Sequence, residues 1–140
     1  MKKVFLLLVL FSMVACEQDD NDGLAINETT IAGKWYFESS RFNENDYVLY
    51  NHNCATKHDY REFLEDESAN TVKHTDCTSD PISEPGTWSL EGKTLTYTDG
   101  SAEPAVFEVK SLTDYKLSLI ETTTNEDGTV DVSVMNFSRY

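Results

Sequence analysis

From residue 28 onward the chain is a series of short stretches in which apolar and polar residues alternate, cut at close intervals by turn-forming pairs. That alternation is the period of a β-strand with one dry and one wet face. GKWYFESSR (33–41) sets Trp35, Phe37 and Ser39 on one face. The other stretches are DYVLY (46–50), DYREFLE (59–65), NTVKHT (70–75), GTWSLEG (86–92), KTLTYTD (93–99), AVFEVK (105–110), YKLSLIETT (115–123) and VDVSVMNFSRY (130–140). In DYREFLE, Tyr60, Glu62 and Leu64 share one face, and Arg61 and Phe63 the other. Glu91-Gly92 marks a hairpin, and Asp99-Gly100 and Asp127-Gly128 mark further turns. A glycine there reaches the left-handed backbone that tight turns require. Gly86, after Pro85, is expected to start its strand. No stretch keeps a convincing 3.6-residue period. DYREFLED is the weak exception, a helical turn by propensity alone. Eight or nine short strands without repeats or low-complexity tracts predict an antiparallel sandwich or barrel. Closure favours the barrel, because an open meander leaves two unpaired edges. The expected fold is all-β, an up-and-down eight-stranded antiparallel barrel. Eight strands leave room for packed side chains or one small ligand.

The start of the chain differs in kind. Lys2 and Lys3 precede VFLLLVLFSMVA (4–15), an apolar run of 12 residues. A bilayer span needs about 20 residues, so the run fits the hydrophobic region of a signal peptide. Met13-Val14-Ala15-Cys16 resembles a bacterial lipobox. That resemblance implies cleavage before Cys16 and lipid on its thiol and amine. Such a cysteine would otherwise be an exposed thiol on an exported protein. Two or more acyl chains would anchor the chain stably to a membrane. The expected organisation is a signal peptide over 1–15, a lipidated N-terminus and acidic tether over 16–27, and the barrel domain over 28–140. EQDDNDGLAIN (17–27) is too polar to order itself by burial. Glu17, Asp19 and Asp20, just after the cysteine, resemble an export signal of Bacteroidota lipoproteins. The expectation is an outer-membrane, lipid-anchored protein displayed at the cell surface.

Charge removes one class of partner. Eleven Lys and Arg oppose 25 Asp and Glu, a formal charge of −14. No basic footprint exists for nucleic acid, so that partner is excluded. Three cysteines are an odd number for an exported chain. With Cys16 lipidated, Cys54 and Cys77 are left to pair as a disulfide. His52, Cys54, His58, His74 and Cys77 also form two clusters of the residue types that bind zinc. The paired cysteines of a structural zinc site are missing, and the disulfide is the favoured reading, with no metal.

Gly33-Lys34-Trp35 opens the domain, and FSRY (137–140) closes it. Between them come Cys54, DYREFLED, Cys77 and GTWSLEGKTLTYT in that order. The whole resembles the small lipocalin-like domain of Bacteroidota lipoproteins over residues 31–140. GTWSLEGKTLTYT is its most specific part, and DESANT departs from the Asp-Gly turn more usual there. The resemblance implies that Gly33, Trp35 and Arg139 close the barrel, with Arg139 covering the indole ring. Trp35, Phe37, Trp88, Leu117 and Leu119 are the residues expected to line a ligand cavity if the interior is open.

No catalytic constellation stands out. There is no G-x-S-x-G elbow and no phosphate loop or cofactor motif. TTNEDGTVD (123–131) lacks the first and last ligands of a calcium loop and reads as a turn. The expectation is a non-enzymatic protein without cofactor. Two functions remain open. One is binding of a small apolar or amphipathic ligand. The other is an envelope accessory module that works by protein contact around a filled barrel.

Overall fold

The computed structural model describes residues 23–100 and 103–140. One helical turn, α1 (Glu28–Ile31), precedes nine strands. They are β1 (Gly33–Phe42), β2 (Val48–Leu49), β3 (Tyr60–Phe63), β4 (Ser68–Lys73), β5 (Ile82–Glu91), β6 (Thr94–Thr98), β7 (Ala105–Leu112), β8 (Lys116–Thr124) and β9 (Val130–Ser138). Every stretch read as a strand from the sequence holds one of them.

All pairings are antiparallel, in the order β2-β1-β3-β4-β5-β6-β7-β8-β9, and β1 also pairs with β9. Eight strands, β1 and β3 to β9, therefore close a barrel, and β2 is a two-residue addition to β1 outside that ring. The first half of β1, Gly33–Tyr36, pairs with β3, and Tyr36–Phe42 pair with β9. A bulge between Phe37 and Ser39 separates the two halves, and such an extra residue bends a strand. The end of the barrel holding Gly33, Phe63 and Glu91 is the foot. The end holding Phe42, Lys73 and Val130 is the mouth.

The interior is divided by depth. Towards the foot, Trp35, Phe63, Trp88, Leu95, Val109, Leu117, Leu119 and Phe137 form one buried cluster with Ile31 beneath it. Each large side chain so buried contributes about 1.5–3 kcal/mol. This cluster is the domain's core.

Four local features differ from the sequence reading. First, α1 was not expected, since four residues show no periodicity. Its signal is the pair Asn27 and Thr30. The Asn27 side chain accepts from Thr30 N at 3.0 Å, and Thr30 Oγ1 accepts from Asn27 N at 3.1 Å. This reciprocal cap satisfies two donors at the helix start. Second, Gly86 does not start β5, which begins four residues earlier at Ile82. Gly86 lies mid-strand because a Cβ there would collide with the carbonyl oxygen of Thr98 on β6. Third, residues 23–27, expected as tether, are docked. Leu24 N donates to Leu112 O at 2.8 Å, and Leu24 and Ile26 pack against the core. Fourth, the DESANT departure resolves as a turn with Glu67 at φ 65°, so β4 begins at Ser68, ahead of the expected Asn70.

Candidate ligand-binding site

The foot is sealed by the three residues expected to close it. Trp35 is fully buried and donates from Nε1 to Ile31 O at 2.7 Å. The Arg139 guanidinium lies 3.8 Å above the indole. Its Nη2 donates to Ala32 O at 2.6 Å, Thr30 O at 3.2 Å and Ile31 O at 3.3 Å. One arginine thus caps the carbonyls that end α1, which the helix itself cannot satisfy. Gly33 sits at φ 122°, and a Cβ there would come within 3.1 Å of Arg139 Nη2. The glycine is required both by its backbone and by the arginine.

Of the five residues expected to line a cavity, Trp35, Trp88, Leu117 and Leu119 are sealed in the packed core. Trp88 is fixed further by donating from Nε1 to Leu64 O at 2.8 Å. Phe37 alone is partly buried, packed on the core from the mouth side. Trp35, Trp88, Leu117 and Leu119 are therefore core packing and not the lining of an open cavity.

Towards the mouth the interior turns polar. Arg61 pairs across the ladders with Trp35 on one side and Thr71 on the other, so it shares their inward face. Its guanidinium lies 3.9 Å over the Tyr97 ring and 5.8 Å from that of Phe37. Nε donates to Thr71 Oγ1 at 3.2 Å, and Thr71 Oγ1 is 2.9 Å from Tyr97 OH. Nη1, however, is buried with no partner, as is Oδ1 of Asp99 beyond Tyr97 on the same strand face. Burial depresses the Arg61 pKa, while Tyr97, Asp99 and Glu84 oppose that shift. An unmade bond at a buried charged donor costs several kcal/mol in principle. A carboxylate or phosphate oxygen would satisfy it, and the Phe37 and Tyr97 rings would flank an apolar tail. Arg61 was not singled out from sequence. Its signal was the alternation in DYREFLE, which places an arginine on the same face as Phe63.

The cysteines and histidines form a separate assembly where the segment between β2 and β3 (His52, Cys54, His58) meets the β4–β5 loop (His74, Cys77). Cys54 and Cys77 are joined as a disulfide, Sγ–Sγ 2.08 Å, tying that segment to the β4–β5 loop. Closing a loop of this separation contributes about 3.4 kcal/mol on the chain-entropy account. His52 and His58 stack at 4.4 Å. Asp59 N, which can only donate, lies 3.0 Å from His52 Nδ1, so the proton is on Nε2, which donates to Phe37 O at 3.0 Å. Burial, then the nearby His58, depress the His52 pKa. Asp59 is buried and accepts from Tyr50 OH at 2.8 Å and His74 N at 2.7 Å. Burial and that bond to Asp59 push the Tyr50 pKa up to about 12. The histidines are thus held as parts of the loop. Among the described residues no group of three or more metal-ligating side chains is found. His58, His74, Tyr36, Tyr60 and Tyr140 border a shallow surface cleft beside the disulfide.

Cys16, the signal segment and the acids at 17–20 lie outside the described residues.

A family model for a lipocalin-like domain matches residues 31–119. No curated protein matches the sequence. Among solved structures, lobster apocrustacyanin A1 superposes with a TM-score of 0.58 at 16% identity, covering 81% of this chain and 63% of that one. The chain thus spans under two thirds of the length of apocrustacyanin A1. A deswapped triple mutant of bovine odorant binding protein gives a TM-score of 0.44 at 12% identity, covering 79% and 74% of the two chains. The bovine protein in complex with a selenium-containing odorant gives 0.45 at 13% identity, covering 82% and 73%. At 16% identity the likeness to apocrustacyanin A1 speaks for the fold alone.

Proposed function

Since the chain belongs to the lipocalin-like domain family, we propose that it is a non-enzymatic binding protein for a small amphipathic ligand, held in the mouth half of the barrel. The observation that carries this reading is the buried, unpartnered Nη1 of Arg61 between the Phe37 and Tyr97 rings. The ligand's anionic head meets Arg61, and its apolar part lies against Phe37 and the partly buried Ala105 and Met135. The packed foot limits how deep it reaches, so the ligand is small. The lipobox-like Met13-Val14-Ala15-Cys16 supports the further reading that the mature protein is a lipid-anchored, surface-displayed lipoprotein of the outer membrane. The test incubates the Cys16→Ser chain, without its signal peptide, with a membrane extract and measures native mass. An acidic adduct is expected whose stoichiometry falls by one in Arg61→Met. A protein that emerges without any adduct would overturn the reading.

One observation favours a second reading, contact with an envelope protein. Phe42, Tyr47, Val48 and Leu49 are 50%, 47%, 67% and 78% exposed around β2. The outer edge of β2 has no strand partner among the described residues. Apolar exposure beside an open edge suits strand addition by a partner chain. One protein that dominates a pull-down from native envelope, and is lost with Leu49→Lys, would support this reading over the first.

A further inference from the structure

Nine basic residues are described, in a chain of net charge −14. Lys73 and Lys116 pair with Glu84 and Glu38. Lys34, Arg41, Arg61 and Arg139 lie over aromatic rings. Lys57, Lys93 and Lys110 have neither arrangement among the described residues, and two of these three line one cleft.

That cleft, about 660 Å³, lies outside the barrel, between the docked segment 23–26 and the strand ends around Gly92 and Leu112. Its apolar wall is the half-buried Leu24 and Ile26, and its basic members are Lys93 and Lys110. Two features of the backbone build it. The hydrogen bond from Leu24 N to Leu112 O fixes the apolar wall. On the other side, β7 carries a bulge. Val109 faces Leu119 and Ser111 faces Ser118, so Lys110 is the extra residue with no partner on β8. Bulges re-aim a side chain out of the regular alternation. Val109 N also donates to Lys93 O at 2.8 Å, so the two lysines leave the sheet from adjacent points.

We propose that this cleft binds one anionic amphiphile, a single acyl chain with a carboxylate head. The head lies between the Lys93 and Lys110 ammonium groups, and the first part of the tail lies on Leu24 and Ile26. Two lysines that line one cleft, neither with an acidic partner among the described residues, favour an anion between them. The apolar wall distinguishes this ligand from a free inorganic anion. The volume is in the range of small-molecule sites, roughly 300–1,000 Å³. This site is independent of Arg61, which lies inside the barrel.

The test follows backbone amide resonances of the Cys16→Ser mature chain during titration with octanoate, octanol and inorganic phosphate. Octanoate is expected to move Leu24, Gly92, Lys93, Lys110 and Leu112 in one saturable event. Octanol and phosphate are each expected to bind more weakly. The double variant Lys93→Gln/Lys110→Gln, altered only at exposed side chains, is expected to melt normally and to lose roughly tenfold or more in octanoate affinity. Arg61→Met is expected to leave these shifts intact, which separates this site from the one inside the barrel. The proposal falls if the double variant binds octanoate as well as the parent, or if octanol or phosphate binds equally well. It also falls if octanoate binds only after Asp19→Asn, Asp20→Asn and Asp22→Asn, because those neighbouring acids would then be the lysines' partners.

Discussion

Arg139 and Arg61 each lay a guanidinium on an aromatic ring, at 3.8 Å over Trp35 and 3.9 Å over Tyr97. The ring contact is the same, and the rest of each environment is opposite. Arg139 gives its Nη2 protons to three carbonyls at the end of α1. Arg61 has one hydrogen bond from Nε and a buried Nη1 without a partner. One arginine completes the foot of the barrel, and the other leaves a bond unmade near its mouth. A guanidinium over a ring is therefore no guide to role by itself. The distinction lies in whether its remaining donors are satisfied by the protein.

The sharpest way to break this contrast is to remove the foot. Trp35→Ala takes away the fully buried ring and the hydrogen bond to Ile31, and should lower stability by about 3–5 kcal/mol in denaturant unfolding. Next is the clip on the mouth side. Cys54→Ser/Cys77→Ser should cost about 3 kcal/mol, with hydrogen-exchange protection falling first in residues 50–59 and in the β4–β5 loop. Arg139→Met should cost roughly 2 kcal/mol, since it takes the arginine from the Thr30 and Ala32 carbonyls, leaves Ile31 O only its Trp35 donor, and uncovers the indole. Arg61→Met keeps the volume and removes an incompletely paired charge, so it should change stability by about 1 kcal/mol or less. Equal losses for the two arginines, measured by chemical denaturation, would erase the distinction between them. The smallest effect is on pH. His52 has its pKa depressed below 6.5 in the fold. The unfolded chain therefore binds the proton first as pH drops, and stability is lost as pH falls through 6.5 towards the folded value. It is intact above that range. Asp59 opposes this shift and His58 reinforces it, so His58→Gln should shrink the loss on the acid side.

The strands and the closure were legible because alternation reports a half-buried sheet directly, and all nine stretches hold strands. Gly33, Trp35 and Arg139 were legible through resemblance, and the geometry supplies the reason for each. Four of the five residues expected to line a cavity are packed in the core instead. Alternation tells which residues face inward but not how deep they sit, so Trp88, Leu117 and Leu119 could not be told from residues nearer the mouth. Depth comes from register, which for β4 turned on the left-handed Glu67 in a sequence without glycine there. α1 is too short for any period, and only the Asn27–Thr30 cap marks it. The bulge at Lys110 has no sequence signature, and with it the basic cleft was invisible until strand pairing was known.

The most direct test of the division between the two arginines is the Nε–H resonance of Arg61 during an octanoate titration of residues 16–140 carrying Cys16→Ser, with Arg139 observed in the same spectra. Arg61 is expected to shift and saturate with octanoate while Arg139 stays still and octanol moves neither. An Arg61 resonance that remains fixed while octanoate is bound elsewhere, or that moves in step with Arg139, would contradict the assignment of Arg61 to the ligand.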